Sequence, residues 1–270
     1  MASKTIEREL QSFLTSKSQF KLLHSSNSNS IITPMTSRLL ILDSSFNPPH
    51  KAHYSIIQKS IIHKFPSLNN SISTTTINDK SVLLLLSVNN ADKSSNSPAS
   101  TIHRLSMMIE LSNEISENLG ICCGVGITDK SLFIDKYKVL SEFINSEKKV
   151  TQTYLFGFDT LIRLLNPKYY QSKGIVDALN EFITNCDCFV LTRRDSSSSS
   201  SSMEHQKDYV KNLEWIPSSW IDKFNIVDNV ETNLDISSSS IRESIKQGDS
   251  GWEMNTFPSI ANYIKNNHIY

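Results

Sequence analysis

The chain has 270 residues, of which 38% are hydrophobic and 20% are charged, and this composition is typical of a globular protein with one large core. Its 27 Lys and Arg residues balance its 27 Asp and Glu residues, which argues against a basic surface that recruits nucleic acid or an anionic membrane. No apolar run approaches the length of a membrane span, and charges interrupt the N-terminal segment where a signal peptide needs its apolar core. We therefore expect a protein of the cytoplasm, the nucleus or both, with no nucleic-acid or membrane partner.

The first segment has the character of an addition to a larger domain. Residues 4–17 carry apolar side chains at helical spacing, among them Leu10 and Leu14, and a polar stretch follows them. We expect residues 1–36 to form a helical and polar extension. Residues 37–270 then form the main domain.

In the main domain, apolar segments of strand length alternate with amphipathic segments. The predicted strands are 38–43, 81–88, 121–127, 152–157 and 186–192. The predicted helices are 50–64, 100–118, 135–147, 174–184, 238–247 and 258–267. Several strands are apolar at consecutive positions, as in a parallel sheet with helices on both faces. The predicted fold is therefore α/β, a doubly wound parallel sheet.

Two further features carry no predicted chemistry. The serine run Ser196–Ser202 cannot bury apolar surface, so we expect a disordered surface insertion near residues 195–207. The cysteines lie in apolar segments at spacings that form neither a zinc motif nor a redox motif, and we expect buried free thiols. They are Cys122, Cys123, Cys186 and Cys188.

The segment that follows the first predicted strand points to a nucleotide site. Residues 43–47 form the loop after that strand, and Pro48 and Pro49 suit the entry to a helix. His50 and His53 then share one face of the first helical turn, beside the positive end of the helix dipole. Two imidazoles at such a position suit a polyphosphate, whereas no third ligand for a metal is evident nearby. On the residues alone, a capping and a surface histidine remain the alternative.

The segment "SSFNPPHKAH" resembles the G-x-F-x-P-x-H-x-G-H signature of the nucleotidylyltransferases, and its "SFNP" core is similar to that of nicotinamide mononucleotide adenylyltransferases. Further segments resemble motifs of the same family in the same order. These are "NNADK" with "HRLSMMIEL", then "YLFGFDTLIRLLNPKYY", "FVLTRRD", "ISSSSIRESIKQG" and "IANYIKNNHIY". The resemblance spans roughly residues 38–270 and is strongest to the fungal branch that includes the promoter-of-filamentation protein.

The resemblance implies a Rossmann-like sheet of the nucleotidylyltransferase type. It also implies an enzyme that joins the AMP part of ATP to nicotinamide mononucleotide, giving NAD and pyrophosphate, with Mg²⁺ carried on ATP. Such a reaction requires hydrogen-bond donors for phosphoryl oxygens more than it requires a nucleophile. No protein ligands for a metal are expected.

The resemblance assigns roles to three groups of residues. Catalysis falls to His50, His53 and Arg242. ATP binding falls to Ser44, Ser45, Phe46, Asn47, Asp159, Ser238, Ser239 and Arg242. Binding of the second substrate's phosphate, or a phosphate clamp, falls to Lys93, Arg193 and Arg194. From the residues alone, Asp159 could equally cap a helix, and the three cations of the last group could be solvated surface charges.

The chain departs from the family signature at two glycines, where Ser44 and Ala52 stand instead. The motifs specify a nucleotide but not its acceptor, so alternative functions stay open. One is transfer to another phosphorylated acceptor, or hydrolysis of ATP. Another is nucleotide binding in a regulatory or protein-quality-control role with little transferase activity.

Overall fold

One sheet organises the described part of the chain, which in this computed structural model comprises residues 3–27, 30–66, 79–89, 98–144, 150–170, 174–192, 203–229 and 236–270. The strands are β1 (Phe20–Ser25), β2 (Arg38–Asp43), β3 (Lys80–Ser87), β4 (Cys122–Thr128), β5 (Thr151–Gly157), β6 (Asp187–Leu191) and β7 (Phe224–Val227). The helices are α1 (Ser3–Thr15), α2 (Lys51–Ile62), α3 (Thr101–Leu119), α4 (Phe133–Ile144), α5 (Phe158–Leu164), α6 (Ile175–Asn185), α7 (Met203–Asp208), α8 (Ser218–Ile221), α9 (Ser238–Lys246) and α10 (Pro258–Asn266).

The strands are ordered β1-β4-β3-β2-β5-β6-β7, and neighbouring strands are parallel except for β1 and β4. Successive residues of the central strands enter different cores. Leu40 and Leu42 pack in the core on one face, whereas Leu39 and Ile41 pack in the core on the other. This alternation explains why β2 is apolar at consecutive positions. The predicted doubly wound α/β fold is confirmed.

The order of the strands reverses between β2 and β5. The chain runs outward from β2 through β3 to β4, and it then returns to β5 on the other side of β2. In doubly wound sheets the ligand crevice opens at such a point, beyond the carboxyl ends of the strands. The segments after Asp43 and Gly157, the last residues of these two strands, are therefore placed to hold a ligand.

An ion pair is buried at the amino-terminal ends of the strands, opposite the crevice. Arg38, the first residue of β2, places NH1 2.6 Å from Asp187 Oδ2 at the start of β6. The same guanidinium donates to the Thr153 hydroxyl of β5 and lies 4.2 Å from the centroid of the Phe65 ring. These contacts therefore hold the adjacent strands β2, β5 and β6 together at the ends that face away from the crevice.

The N-terminal segment is part of the same structure. Helix α1 packs against α3 and buries Ile6, Leu10 and Phe13, while Leu14 on its rim stays 55% exposed. Residues 20–25, which belong to the segment expected to be helical and polar, instead form the edge strand β1. The segment thus contributes both a helix and a strand to the main core.

The predicted strands and helices of the main domain are present, with their ends shifted by a few residues. Strands β1 and β7 and the short helices α5, α7 and α8 were not predicted from the sequence. The run Ser196–Ser202 lies outside the described residues, whereas residues 203–207, which the expected disordered insertion includes, belong to helix α7. Cys123, Cys186 and Cys188 are buried free thiols, as predicted, and Cys122 is a half-buried one. Among the helices that the structure describes, none combines the length and the apolarity that a membrane crossing needs.

We predict that Gly124→Ala destabilises the fold by about 1–3 kcal/mol, the usual effect of overpacking. A Cβ atom at this position on β4 would lie 2.3 Å from Ile31 Cγ2 and 2.9 Å from the backbone oxygen of His24, so the N-terminal segment would have to move. Urea unfolding measures the effect. Gly157→Ala is the control, because a Cβ atom there meets nothing within 4 Å. Equal stability of the two variants would contradict the close packing of β1 on β4.

Candidate functional site

The loop of residues 44–49, which we call the β2–α2 loop, leaves the sheet at the crevice and is held by side chains from distant parts of the chain. Arg104 of α3 donates from Nε to the backbone oxygen of Ser45 at 2.7 Å. Arg242 of α9 donates from NH1 to the backbone oxygen of Asn47, also at 2.7 Å. Because the loop has no strand partner for these carbonyls, the two guanidinium groups satisfy them.

Three hydroxyl groups complete the fixation of the loop. Ser238 at the start of α9 donates to the Pro48 oxygen at 2.9 Å, and Thr256 donates to the Pro49 oxygen at the same distance. Tyr270 donates its phenolic proton to Asn47 Oδ1 at 2.6 Å. Burial raises the pKa of Tyr270, so the phenol keeps the proton that this bond requires.

Phe46 anchors the middle of the loop from inside. Its φ is 45°, in the left-handed region that costs a residue with a side chain about 1–2 kcal/mol. The ring is fully buried and lies 5.0 Å, centroid to centroid, from the imidazole of His53. Burial of a Phe side chain contributes about 1.5–3 kcal/mol, which offsets the cost of the backbone conformation. The loop is thus fixed by an apolar contact as well as by hydrogen bonds.

The two histidines lie together at the start of α2. His50 is the residue before the first helical residue, and its ring centroid lies 3.8 Å from that of His53. The backbone N–H of His50 donates to His53 Nδ1 at 3.2 Å, and His53 Nε2 lies 3.0 Å from Ser44 Oγ. Although His53 keeps some accessible surface, desolvation by the surrounding protein lowers its pKa to about 3. At neutral pH its ring is therefore uncharged, with the proton on Nε2.

The start of α9 faces the same loop. Ser237 caps this helix by accepting a hydrogen bond from the Ser240 N–H at 3.1 Å, which leaves Ser238 and Ser239 in the first turn. Arg242 also donates from NH2 to Ser239 Oγ at 3.1 Å. The predicted helix start at residue 238 is therefore present, and the structure places it beside the β2–α2 loop.

A pocket of about 220 Å³ opens beside the loop and is lined by Ser44 and Ser45. Lys136 of α4 reaches it and pairs with the carboxylate of Asp43, and only 3% of the lysine side chain is exposed. Aromatic, cationic and hydroxyl side chains form much of the remaining wall. These include Arg104, Phe133, Thr160, Arg163, Tyr169 and Tyr170. A pocket of this composition can accept an anion together with a flat ring.

The remaining predicted site residues are Asp159 and three cations. Asp159, which the resemblance assigns to ATP binding, follows the end of β5 at Gly157 and lies exposed in the first turn of α5. Thr160, the next residue on that turn, lines the pocket, whereas Asp159 is not among the lining residues. Lys93, Arg193 and Arg194 lie outside the described residues, and their roles stay predictions.

Sequence reasoning missed three residues that hold or line the site. Arg104 lies in the segment "HRLSMMIEL" and Tyr270 in the segment "IANYIKNNHIY". Both segments resemble family motifs, but neither residue was assigned a role from that resemblance. Lys136 carried no signal, because its partner Asp43 is 93 residues away in the chain. In the described part of the chain, no three His, Cys, Asp or Glu side chains come together as a possible metal site.

Comparison with known proteins identifies relatives of this chain. It is 32% identical over 231 residues to a Schizosaccharomyces pombe protein named as a provisional nicotinamide mononucleotide adenylyltransferase, and the match covers 84% of each chain. Two solved structures of Plasmodium falciparum nicotinic acid mononucleotide adenylyltransferase, complexed with NaAD and with APC, give TM-scores of 0.51 and 0.50 at 16% identity. Each match covers 87% of this chain and 97% of the other, and at this identity it shows the fold alone. No protein-family profile matches the sequence.

We predict that His53 makes the protein less stable in acid. The folded pKa of about 3 lies below the value of about 6.5 for a solvated histidine, so between these values the unfolded chain binds the extra proton. The free energy of unfolding therefore falls as the pH falls through 6.5, by up to about 1.4 kcal/mol per pH unit for one group. His53→Gln should lose less stability than the wild type between about pH 6 and 4.5 in urea unfolding.

The control for this measurement is His268→Asn, because His268 is exposed near the C-terminal end of the chain. His24 and His63 also have lowered pKa values through burial, and they act in the same direction in all three proteins. The comparison therefore isolates His53. Parallel pH dependences of the wild type and His53→Gln would show that His53 titrates normally in the folded protein.

Proposed function

Because the chain belongs to the nicotinamide mononucleotide adenylyltransferase family, we propose that it transfers the AMP part of ATP to nicotinamide mononucleotide and releases NAD and pyrophosphate. The phosphate of the acceptor attacks the α-phosphorus of ATP, and the bond to the pyrophosphate group breaks. The observation that supports this proposal most strongly is the convergence of two helix starts on the β2–α2 loop. Helices α2 and α9 have 12 and 9 residues, and each begins with donors that face that loop.

The donors of the two helix starts suit a triphosphate. Ser238 and Arg242 bond the carbonyls of Pro48 and Asn47, which places the first turn of α9 beside that of α2. A guanidinium has five N–H donors, so Arg242 can bind phosphate oxygens while it holds the loop. The amides at the two helix starts add uncharged donors. We assign the β- and γ-phosphates of ATP to this region.

The neutral state of His53 matters for its proposed role. A neutral donor fixed in advance stabilises the charge that develops as pyrophosphate leaves, without neutralising the triphosphate in the ground state. His50 lies next to it, 3.8 Å between ring centroids, and we assign it the same task. Arg242, in contrast, carries its charge throughout and should bind ATP before the reaction as well as during it.

The pocket beside the loop suits the acceptor. Arg104 supplies positive charge, while Tyr169 and Tyr170 supply rings against which a pyridine can stack. We propose that nicotinamide mononucleotide binds there, with its phosphate toward the loop. Asp159, the chain neighbour of the pocket-lining Thr160, can accept ribose hydroxyl groups, and Lys93, Arg193 and Arg194 remain candidates for further phosphate contacts.

We propose that Mg²⁺ enters the site on the triphosphate. Phosphate oxygens are hard ligands of the kind that Mg²⁺ prefers, and the ion usually keeps several waters instead of a cage of protein ligands. When bound, it supplies positive charge to the leaving pyrophosphate. The chain's own contribution is to position the phosphates.

We predict that the purified protein with Mg²⁺ and ATP forms pyrophosphate and a dinucleotide when nicotinamide mononucleotide is the acceptor. Nicotinate mononucleotide and a reaction without acceptor are the comparisons, and chromatography identifies the product. A higher kcat/KM for nicotinate mononucleotide would reassign the acceptor within the family. Formation of pyrophosphate or ADP without any dinucleotide would favour ATP hydrolysis. The absence of ATP binding in calorimetry would exclude both adenylyl transfer and ATP hydrolysis.

We predict different kinetic effects for two substitutions at the site. His53→Ala should lower kcat by roughly 10²-fold or more with a small change in ATP affinity, because its donor acts mainly on developing charge. Arg242→Ala should lower kcat and ATP affinity together, because the phosphates carry charge before the reaction. Gln58→Ala, exposed on the same helix as His53, is the control and should match the wild type. Full turnover by His53→Ala would remove His53 from the mechanism.

A further inference from the structure

Ser44 stands where the family signature has glycine, and it carries a hydroxyl group that such a glycine lacks. Its backbone N–H donates to the Leu85 oxygen at 3.3 Å, so the residue continues the ladder between β2 and β3 for one more step. That bond holds the backbone of Ser44, a residue that lines the pocket. Its Oγ lies 3.0 Å from His53 Nε2.

The direction of the hydrogen bonds around His53 follows from elementary chemistry. A backbone N–H can only donate, so the His50 N–H at 3.2 Å makes His53 Nδ1 an acceptor. A neutral imidazole with a lone pair on Nδ1 carries its proton on Nε2, and desolvation, which lowers the pKa of His53 to about 3, keeps the ring neutral. Nε2 therefore donates, and Ser44 Oγ accepts.

The hydroxyl proton of Ser44 is then available for a ligand. Within the described residues, Ser44 Oγ has no second hydrogen-bond partner, and the group lies on the wall of the 220 Å³ pocket. The three groups thus form a directed chain: His50 N–H to His53, His53 to Ser44, and Ser44 into the pocket. Each donor in such a chain polarises the next one, so its last proton is a stronger donor than an isolated hydroxyl.

We propose that Ser44 is a further donor of the active site, and that it passes the hydrogen bond of His53 to a phosphoryl oxygen of the bound nucleotide. This inference rests on the proposed adenylyl transfer for its kinetic consequence, but the hydrogen-bond chain itself is a property of the ligand-free protein. In this arrangement His53 acts through Ser44. The two residues therefore form one functional unit.

The test is a double-mutant cycle on Ser44 and His53. Ser44→Ala should lower kcat by roughly 10- to 100-fold, the loss typical of one hydrogen bond to a charged group, and Ser44→Thr should restore most of it because it keeps the hydroxyl. The double variant Ser44→Ala with His53→Ala should be about as active as the weaker single variant. Ser60→Ala is the matched control. The Ser60 hydroxyl lies on α2, the helix of His53, and donates to the Ile57 carbonyl at 2.8 Å.

Three kinetic outcomes would overturn the inference. The effects of the two single variants could multiply in the double variant, which would mean that the residues act independently. Ser44→Ala could retain full turnover. Ser44→Gly could exceed the wild type, which would mean that the hydroxyl competes with the nucleotide for His53.

Nitrogen NMR of the ligand-free protein separates this inference from the proposed function. A His53 ring protonated at Nε2, with a slowly exchanging proton that exchanges faster in Ser44→Ala, supports the chain even if no acceptor turns over. Binding of ATP with Mg²⁺ should then weaken in Ser44→Ala and show the same non-additivity with His53→Ala. A ring protonated at Nδ1 in the wild type overturns the inference even if the enzyme makes NAD.

Discussion

The β2–α2 loop is the constraint on which the rest of the site depends. Its carbonyls leave the ladder of the sheet at the crevice, and buried carbonyls need partners. Those partners are side chains of α3, of α9 and of the segment before α10, at positions 59 to 207 residues away in the chain. The loop can adopt its observed shape only when these elements have docked. The shape of the site consequently depends on packing that the sheet alone does not provide.

A stabilising ion pair and the candidate site lie at opposite ends of the strands. At one edge, the charge of Arg38 is compensated by Asp187 in a buried pair, and breaking such a pair by removing one partner typically costs about 3–5 kcal/mol. At the other edge, the strands end in a polar loop and a pocket. Since strand β2 begins at the buried pair and ends at the loop, the pair helps to fix the strand that carries the β2–α2 loop.

Much of this architecture could be predicted from the sequence, because each central strand packs on both faces and is therefore apolar at consecutive positions. The edge strands β1 and β7 lack this apolar pattern, and for that reason they were not predicted. β1 has a single buried residue, Leu23, and β7 has a single one, Phe224, so neither shows that pattern. At the site, local signals predicted the helix starts, whereas Arg104 and Lys136 act through partners far away in the chain, which spacing cannot reveal.

The pairing of the cations explains how a chain with no net charge can present local positive charge at the proposed nucleotide site. Lys136 and Arg38 face carboxylates, so their charges are locally cancelled. Arg104 and Arg242 instead bond backbone carbonyls, which carry partial but no net charge. Burial lowers the pKa of Arg104, but from a value so high that the group stays protonated at neutral pH. The same two hydrogen bonds that shape the loop therefore leave two full positive charges beside it, where the desolvated setting strengthens their attraction for phosphate.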